Sequence, residues 1–259
     1  MLKICFCTLL LFTFNSFAKN PELNISSSKD SLKNVIPSDT TNLKLLNGVT
    51  AEKVIENYIS AIGGAEKVYN VVDRTTVMSG TVQGVTVTVT SYQKAPNKLK
   101  QLIKAGSNEQ EIIFDGEKGI MEMAGEDREI KGSELEKLKF EATLSLLADP
   151  EHYGIVTNLD GIEKVNGDDA YKIIMILPSG IRWTQYYDIK TGLKVKELKY
   201  IKSQNGLYQQ EIIYSDYKES AGLLYPFKIK QTLGAQTMEF TVDSISVNTG
   251  LTDREFEIE

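Results

Sequence analysis

Apolar and polar residues alternate with a period of two over much of the chain. The clearest case is "GVTVTVTSYQ" at 84–93, where Val85, Val87 and Val89 point one way and Thr86, Thr88 and Thr90 the other. That is the pattern of a half-buried strand. The same texture predicts strands over 71–83, 84–94, 98–104, 110–114, 119–123 and 127–130. After an interruption they resume over 155–165, 170–177, 181–188, 193–202, 207–217, 224–233, 237–247 and 256–258. The separators are short and carry turn residues, among them Asp115-Gly116, Asn166-Gly167, Pro178-Ser179-Gly180 and Asn205-Gly206. Short reversals force antiparallel neighbours, because parallel strands need long crossovers. The expected fold is mainly β (α+β), built on one antiparallel meander too long to stay flat.

Two stretches switch to the helical period. Val54, Ile55, Tyr58, Ile59 and Ile62 share one face over 50–62, with Thr50 as N-cap and Gly63-Gly64 as the stop. "AEKVYNV" adds a short turn after it. A second helix is predicted over 133–147, with "SELE" as a capping box from Ser133 to Glu136 and Asp149-Pro150 as the end. Leu135, Leu138, Ala142 and Leu146 form one stripe, with Phe140, Leu144 and Leu147 beside it. A face that wide suits a helix lying across a sheet or closing a cavity. Both helices are expected on the concave side of the sheet.

Before residue 50 the pattern is lost. Met1 to Ala18 has Lys3, an apolar run over 4–14 and then Ser16-Phe17-Ala18, the order of a secretory signal cleaved after Ala18. Residues 19–49 are rich in Asn, Ser, Lys, Asp and Thr and read as a flexible linker. Residues 50–259 then form a single domain. Export is expected, to the periplasm. Both cysteines, Cys5 and Cys7, fall in the signal, so the mature domain relies on core packing without disulfides. Net charge is −6, and loss of Lys3 makes it −7. That balance argues against nucleic acid and anionic membrane surfaces as partners.

The chemistry search returns little. There is no "GXSXG" elbow, no phosphate-binding "GXXXXGK[ST]" loop and no "HEXXH". His152 is the single histidine and reads as a loop residue. Carboxylates lie in solvated runs such as "SNEQE" and "GEDREIKGSELE". No catalytic residue, metal site or cofactor is expected, and a carboxylate-pair hydrolase is the weakest of the functional alternatives.

Aromatic and aliphatic residues at alternating strand positions carry more. Val87, Val89, Tyr171, Ile173, Trp183, Tyr214, Phe227 and Phe240 are the candidate lining of an apolar cavity between sheet and helices. The competing reading is a solid core. "AEKVIENYISAIGGAEKV", "VNGDDAYKIIMILPSG" and "YYDIKTGLKVKE" together resemble the lipoprotein carrier (LolA/LolB-like) superfamily, and more narrowly the exported lipoprotein-sorting-like domains of Bacteroidetes. The likeness spans residues 51–259 and its signature is structural. It implies an unclosed β-barrel with helices as a lid over an apolar cavity. It also implies a non-enzymatic periplasmic carrier whose partner is a lipid or a lipoprotein acyl chain; a monomer is expected. The alternative is an interaction module with a filled core, docking onto an envelope protein such as an insulinase-type zinc peptidase.

Overall fold

The computed structural model describes residues 48–203 and 206–258; the expected signal and nearly all of the expected linker lie outside them. The domain opens with helix α1 (Ala51–Ile62). The Thr50 hydroxyl accepts a hydrogen bond from the Lys53 amide at 3.2 Å, which satisfies one of the open N–H groups of the first turn. Val54, Ile55, Ile59 and Ile62 are buried along its inner face, each contributing about 1.5–3 kcal/mol through removal from water. Gly63 ends the helix at a positive φ. A Cβ there would stand 2.7 Å from the Gly222 carbonyl oxygen and 2.9 Å from Leu223 Cδ2. The glycine therefore lets the helix end press onto a strand turn 160 residues further along the chain. The short helix α2 (Ala65–Tyr69) follows.

Six strands form the first meander: β1 (Asp73–Val82), β2 (Val85–Lys94), β3 (Lys98–Ala105), β4 (Asn108–Phe114), β5 (Gly119–Met123) and β6 (Glu126–Ile130). Helix α3 (Gly132–Ala142) and two single 3-10 turns, Leu146–Ala148 and Glu151–Tyr153, come next. Seven more strands complete the sheet: β7 (Val156–Val165), β8 (Asp168–Ile176), β9 (Arg182–Asp188), β10 (Lys194–Ser203), β11 (Gly206–Ser220), β12 (Leu223–Leu233) and β13 (Gln236–Val247). All thirteen lie in one antiparallel sheet, ordered β6-β5-β4-β3-β2-β1-β13-β12-β11-β10-β9-β8-β7. The two meanders join through β1 and β13, while β6 and β7, consecutive in the chain, form opposite edges. The barrel is unclosed, and segment 131–155 has to cross from one edge to the other.

Direct cross-strand partners point to the same face of a sheet. Ile173, Gln185, Glu197, Ile212, Gln231 and Met238 therefore share one face. Phe240, Gly80, Val87 and Ala105 continue it. Leu99, Phe114, Gly119 and Ile130 carry it to β6. Helix α1 packs with Ile173, Met175, Trp183 and Tyr187 at one end of this face, and Leu138 and Ala142 of α3 pack with Leu99, Phe114 and Ile130 at the other. Both helices thus sit on one side of the sheet, as expected.

Three expectations need correction. The second helix ends at Ala142, because Thr143 takes an extended conformation and its hydroxyl bonds back to the Lys139 carbonyl at 2.9 Å. Leu144 and Leu147 are carried instead by irregular and 3-10 chain. The capping box does not form: Lys131 is the cap residue and makes no side-chain cap bond, and the Glu136 carboxylate accepts from the Ser179 amide at 3.0 Å. A tertiary bond to the β8–β9 turn replaces the local one. The expected strand at 256–258 is absent, and Asp253–Phe256 forms a 3-10 turn with Phe256 fully buried.

Candidate functional site

Where α1, α2, α3 and the Leu146–Ala148 turn face strands β9 to β12, a cavity of about 340 Å³ remains. Its apolar wall is made by Ile59, Ile62, Phe140, Leu146, Trp183 and Leu223. Tyr58 and Phe140 reach in from the helices. Tyr58 packs on Tyr187 with ring centroids 5.3 Å apart and planes tilted by 60°, and Phe140 meets Trp183 edge-on at 6.5 Å. Both are aromatic geometries that add to area burial. Tyr58, Tyr214 and Tyr217 also line the space. Burial raises all three phenols, Tyr58 to about 12, so they remain protonated donors.

The cavity floor is charged, a feature that the apolar reading of the sequence missed. Glu197 of β10 is buried and pairs with Lys194 at 3.1 Å and Lys199 at 2.6 Å. Lys199 also reaches Glu141 at the end of α3, at 2.8 Å. Gln185 donates to Glu197 at 2.9 Å, and Tyr187 donates to Gln185. Burial disfavours the Glu197 carboxylate, but the two ammonium groups outweigh it and bring its pKa down to about 2. Lys199 is held well above the usual lysine range: burial opposes the charge, and Glu141 and Glu197 more than offset it. Glu141 goes the other way, raised by burial against the pull of Lys199. Lys199 lies 4.5 Å from the Trp183 ring centroid and Lys194 4.8 Å from that of Tyr214, so the cations also rest on aromatic faces.

The sequence places "KVKELK" (194–199) in the strand expected over 193–202 and assigns none of its charges to a face. The register slips between Lys194 and Lys196 where β10 pairs with β9, and this bulge turns Lys194, Glu197 and Lys199 inward. Val195 and Leu198 join a small cluster with Val165, Ala170 and Tyr186 on the opposite face. A bulge reverses every later side chain and leaves no mark in composition.

Arg74 of β1 completes the lining. Its Nε and Nη2 both donate to Gln93 Oε1, and its guanidinium lies 5.5 Å from the Tyr225 ring centroid. Gln93 is fixed in turn by donating to the Glu141 carbonyl at 3.0 Å.

The eight candidate residues divide among several places. Trp183 and Tyr214 line the cavity. Ile173 is fully buried behind it in the same apolar cluster, and Tyr171 packs on that cluster's margin. Val87, Val89 and Phe240 are buried in a second cluster on β1–β3 and β13, with Phe227 at its edge. Cavity residues outside the candidate set include Tyr58, Arg74, Phe140, Glu141, Lys194, Glu197 and Lys199. Among the described residues, no group of three or more His, Cys, Asp or Glu side chains is placed to hold a metal. His152 is exposed.

No family model and no curated protein matches the sequence. Solved structures do match the fold. A LolA superfamily protein from Nitrosomonas europaea aligns with a TM-score of 0.54 at 13% identity, over 82% of this chain and 99% of the other. A DUF1329 family protein from Desulfovibrio piger aligns at 0.53 and 16% identity, over 80% and 97%. A putative outer membrane lipoprotein-sorting protein domain from Vibrio parahaemolyticus aligns at 0.51 and 13% identity, over 80% and 95%. The chain has the LolA/LolB-like fold.

Proposed function

We propose that the protein is a non-enzymatic carrier of the cell envelope, exported to the periplasm, that shields an acyl chain or similar apolar ligand between sheet and helices. The observation that carries this reading is the cavity of about 340 Å³ walled by Ile59, Phe140, Leu146 and Trp183 beneath the α1 and α3 segments. Its size falls at the low end of small-ligand sites, about 300–1,000 Å³. That favours one chain over several. The fold it shares with a lipoprotein-sorting domain and a LolA superfamily protein supports the same reading. Each methylene moved from water into such a space contributes about 0.8 kcal/mol, so shape and apolar surface suffice without a reactive group. Trp183 and Tyr214 are proposed ligand contacts.

Trp183 is the only tryptophan, and its ring forms part of the wall. Titration with dodecanoate should change its fluorescence saturably, and Trp183→Phe should abolish the signal while leaving binding detectable by calorimetry. Organic extraction of natively purified protein followed by mass spectrometry should recover a bound amphiphile. Absence of saturable binding across fatty acids, lysolipids and lipopeptides would reject the carrier reading in favour of an interaction module.

A further inference from the structure

Charge in the cavity does not balance. Its lining holds three cations, Arg74, Lys194 and Lys199, and two carboxylates, Glu141 and Glu197. Both lysines have carboxylate partners, at 3.1 Å for Lys194 and at 2.6 and 2.8 Å for Lys199. Arg74 has none within 4.0 Å among the described residues. Its acceptor is the neutral Gln93 amide oxygen, bound by Nε and Nη2 along the side edge of the guanidinium. A guanidinium carries five N–H donors in a planar fork. The end edge, Nη1 with the outer proton of Nη2, has no acceptor among the described residues. Trp183 Nε1 is a second donor in the same lining that is buried without a partner. A buried donor without an acceptor is costly and uncommon in a finished core. Here one lines the same space as an apolar wall and a half-buried guanidinium whose end edge meets no carboxylate.

Resting on the carrier reading above, we propose that the ligand is a single-chain amphiphile with an anionic head, of the fatty carboxylate type, its head on the free edge of Arg74 and its chain against Phe140, Trp183, Leu146 and Ile59. A carboxylate matches the two parallel N–H groups of that edge in a bidentate pair. It also neutralises the surplus positive charge. Gln93 serves as a positioning residue: held by the Glu141 carbonyl, it occupies the side edge and leaves the end edge for the ligand. An acyl group in ester or amide linkage carries no charge at that point, so the proposal separates a free fatty carboxylate from a protein-linked chain.

The test compares dodecanoate, dodecyl phosphate and dodecanol, which share a chain and differ at the head, against wild type, Arg74→Gln and Arg74→Lys. Wild type should bind dodecanoate at least tenfold more tightly than dodecanol. Arg74→Gln should lose that ratio while its dodecanol affinity stays within twofold, and Arg74→Lys should retain part of it. Preference for dodecyl phosphate over dodecanoate would reject the carboxylate head in favour of a phosphate one. Equal binding of dodecanol and dodecanoate by wild type would overturn the head-group inference and leave the carrier reading standing. No binding of any of the three would remove both. The wild-type ratio alone decides the matter if the Arg74 variants fail to fold.

Discussion

Glu197 shows how one side chain ties together the stability of the domain and the electrostatics of its cavity. It is 3% exposed and holds two ammonium groups. Removing its charge leaves Lys194 with no carboxylate and Lys199 with Glu141 alone. Breaking a buried pair from one side typically costs about 3–5 kcal/mol, because a desolvated charge is left behind. Glu197→Gln is therefore expected to lower unfolding free energy by roughly 3 kcal/mol in urea titrations at neutral pH. The pH dependence has a definite sign. With its pKa near 2 in the fold and about 4.3 when unfolded, Glu197 contributes fully above about pH 5 and loses that contribution as pH falls toward 2. Glu141, raised by burial, binds its proton earlier in the folded chain and opposes part of this loss. The difference between wild type and Glu197→Gln isolates the Glu197 share: it should shrink steadily below pH 5, and a difference independent of pH would refute the assignment. Asp73 offers a simpler case. Its carboxylate accepts from the Thr249, Gly250 and Leu251 amides and the Thr249 hydroxyl, at 2.8–3.3 Å, pinning the chain beyond β13 to the start of β1. Asp73→Ala should cost about 2 kcal/mol, since several donors at the edge of the domain lose a charged acceptor together, and thermal melting with a C-terminal proteolysis assay would read it.

At the scale of elements, two turns fix where α1 lies and hence the shape of the cavity. In the β9–β10 turn, Asp188 Oδ1 accepts from both the amide and the hydroxyl of Thr191 at 2.7 Å, and Gly192 sits at positive φ. A Cβ on Gly192 would lie 3.4 Å from Asn57 O and Ala61 Cβ, so the turn is seated under the helix. This gives the "YYDIKTGL" signature a structural reason. The Gly63-Gly64 pair supplies a controlled comparison. Both have positive φ, but a Cβ on Gly63 runs into Gly222 and Leu223 while one on Gly64 meets nothing within 4 Å. Gly64→Ala should therefore cost only backbone strain, about 1–3 kcal/mol, and Gly63→Ala more than Gly64→Ala, since steric overlap is added. Equal losses in the two variants would show that the close approach to Leu223 does not matter. These glycines, the Thr50 cap and the antiparallel order were all legible in the sequence, because each is set by local conformational preference. The path after Ala142 was not. Its apolar stripe continues past the helix end, and period alone cannot distinguish a helix from the 3-10 turns that present Leu146 to the cavity. The charged floor was hidden for a related reason: one bulge at residues 194–196 exchanged the two faces of β10.

At the scale of the whole molecule, the decisive feature is that β6 and β7 adjoin in sequence and stand at opposite edges of thirteen strands. Segment 131–155 must therefore bridge the open side of the sheet, and it carries Phe140, Glu141, Leu146 and Leu147 into the cavity lining on the way. Among the described residues the bridge is tied to the sheet by few polar bonds: Glu141 to Lys199, the Gln93 amide to the Glu141 carbonyl, Lys137 to the Tyr200 carbonyl at 2.7 Å, Glu136 to the Ser179 amide, and Glu134 to Arg128 of β6 at 2.8 Å. The wall is instead held by backbone ladders on both sides of every inner strand. Segments with few long-range bonds open locally at lower free energy than ladder strands. Amides of 131–155 are thus expected to exchange with solvent faster than those of β8 to β11 in the unliganded protein. Dodecanoate at saturation should slow the bridge preferentially, since a bound chain stabilises only conformations in which Phe140 and Leu146 are seated. Glu141→Gln should speed bridge exchange in both states and raise the ligand off-rate, leaving exchange in β8 and β9 unchanged. Uniform slowing of bridge and wall on ligand addition would mean that the ligand stabilises the fold globally and enters by another route. Slowing confined to 131–155 would identify the bridge as the element that opens and closes over the ligand.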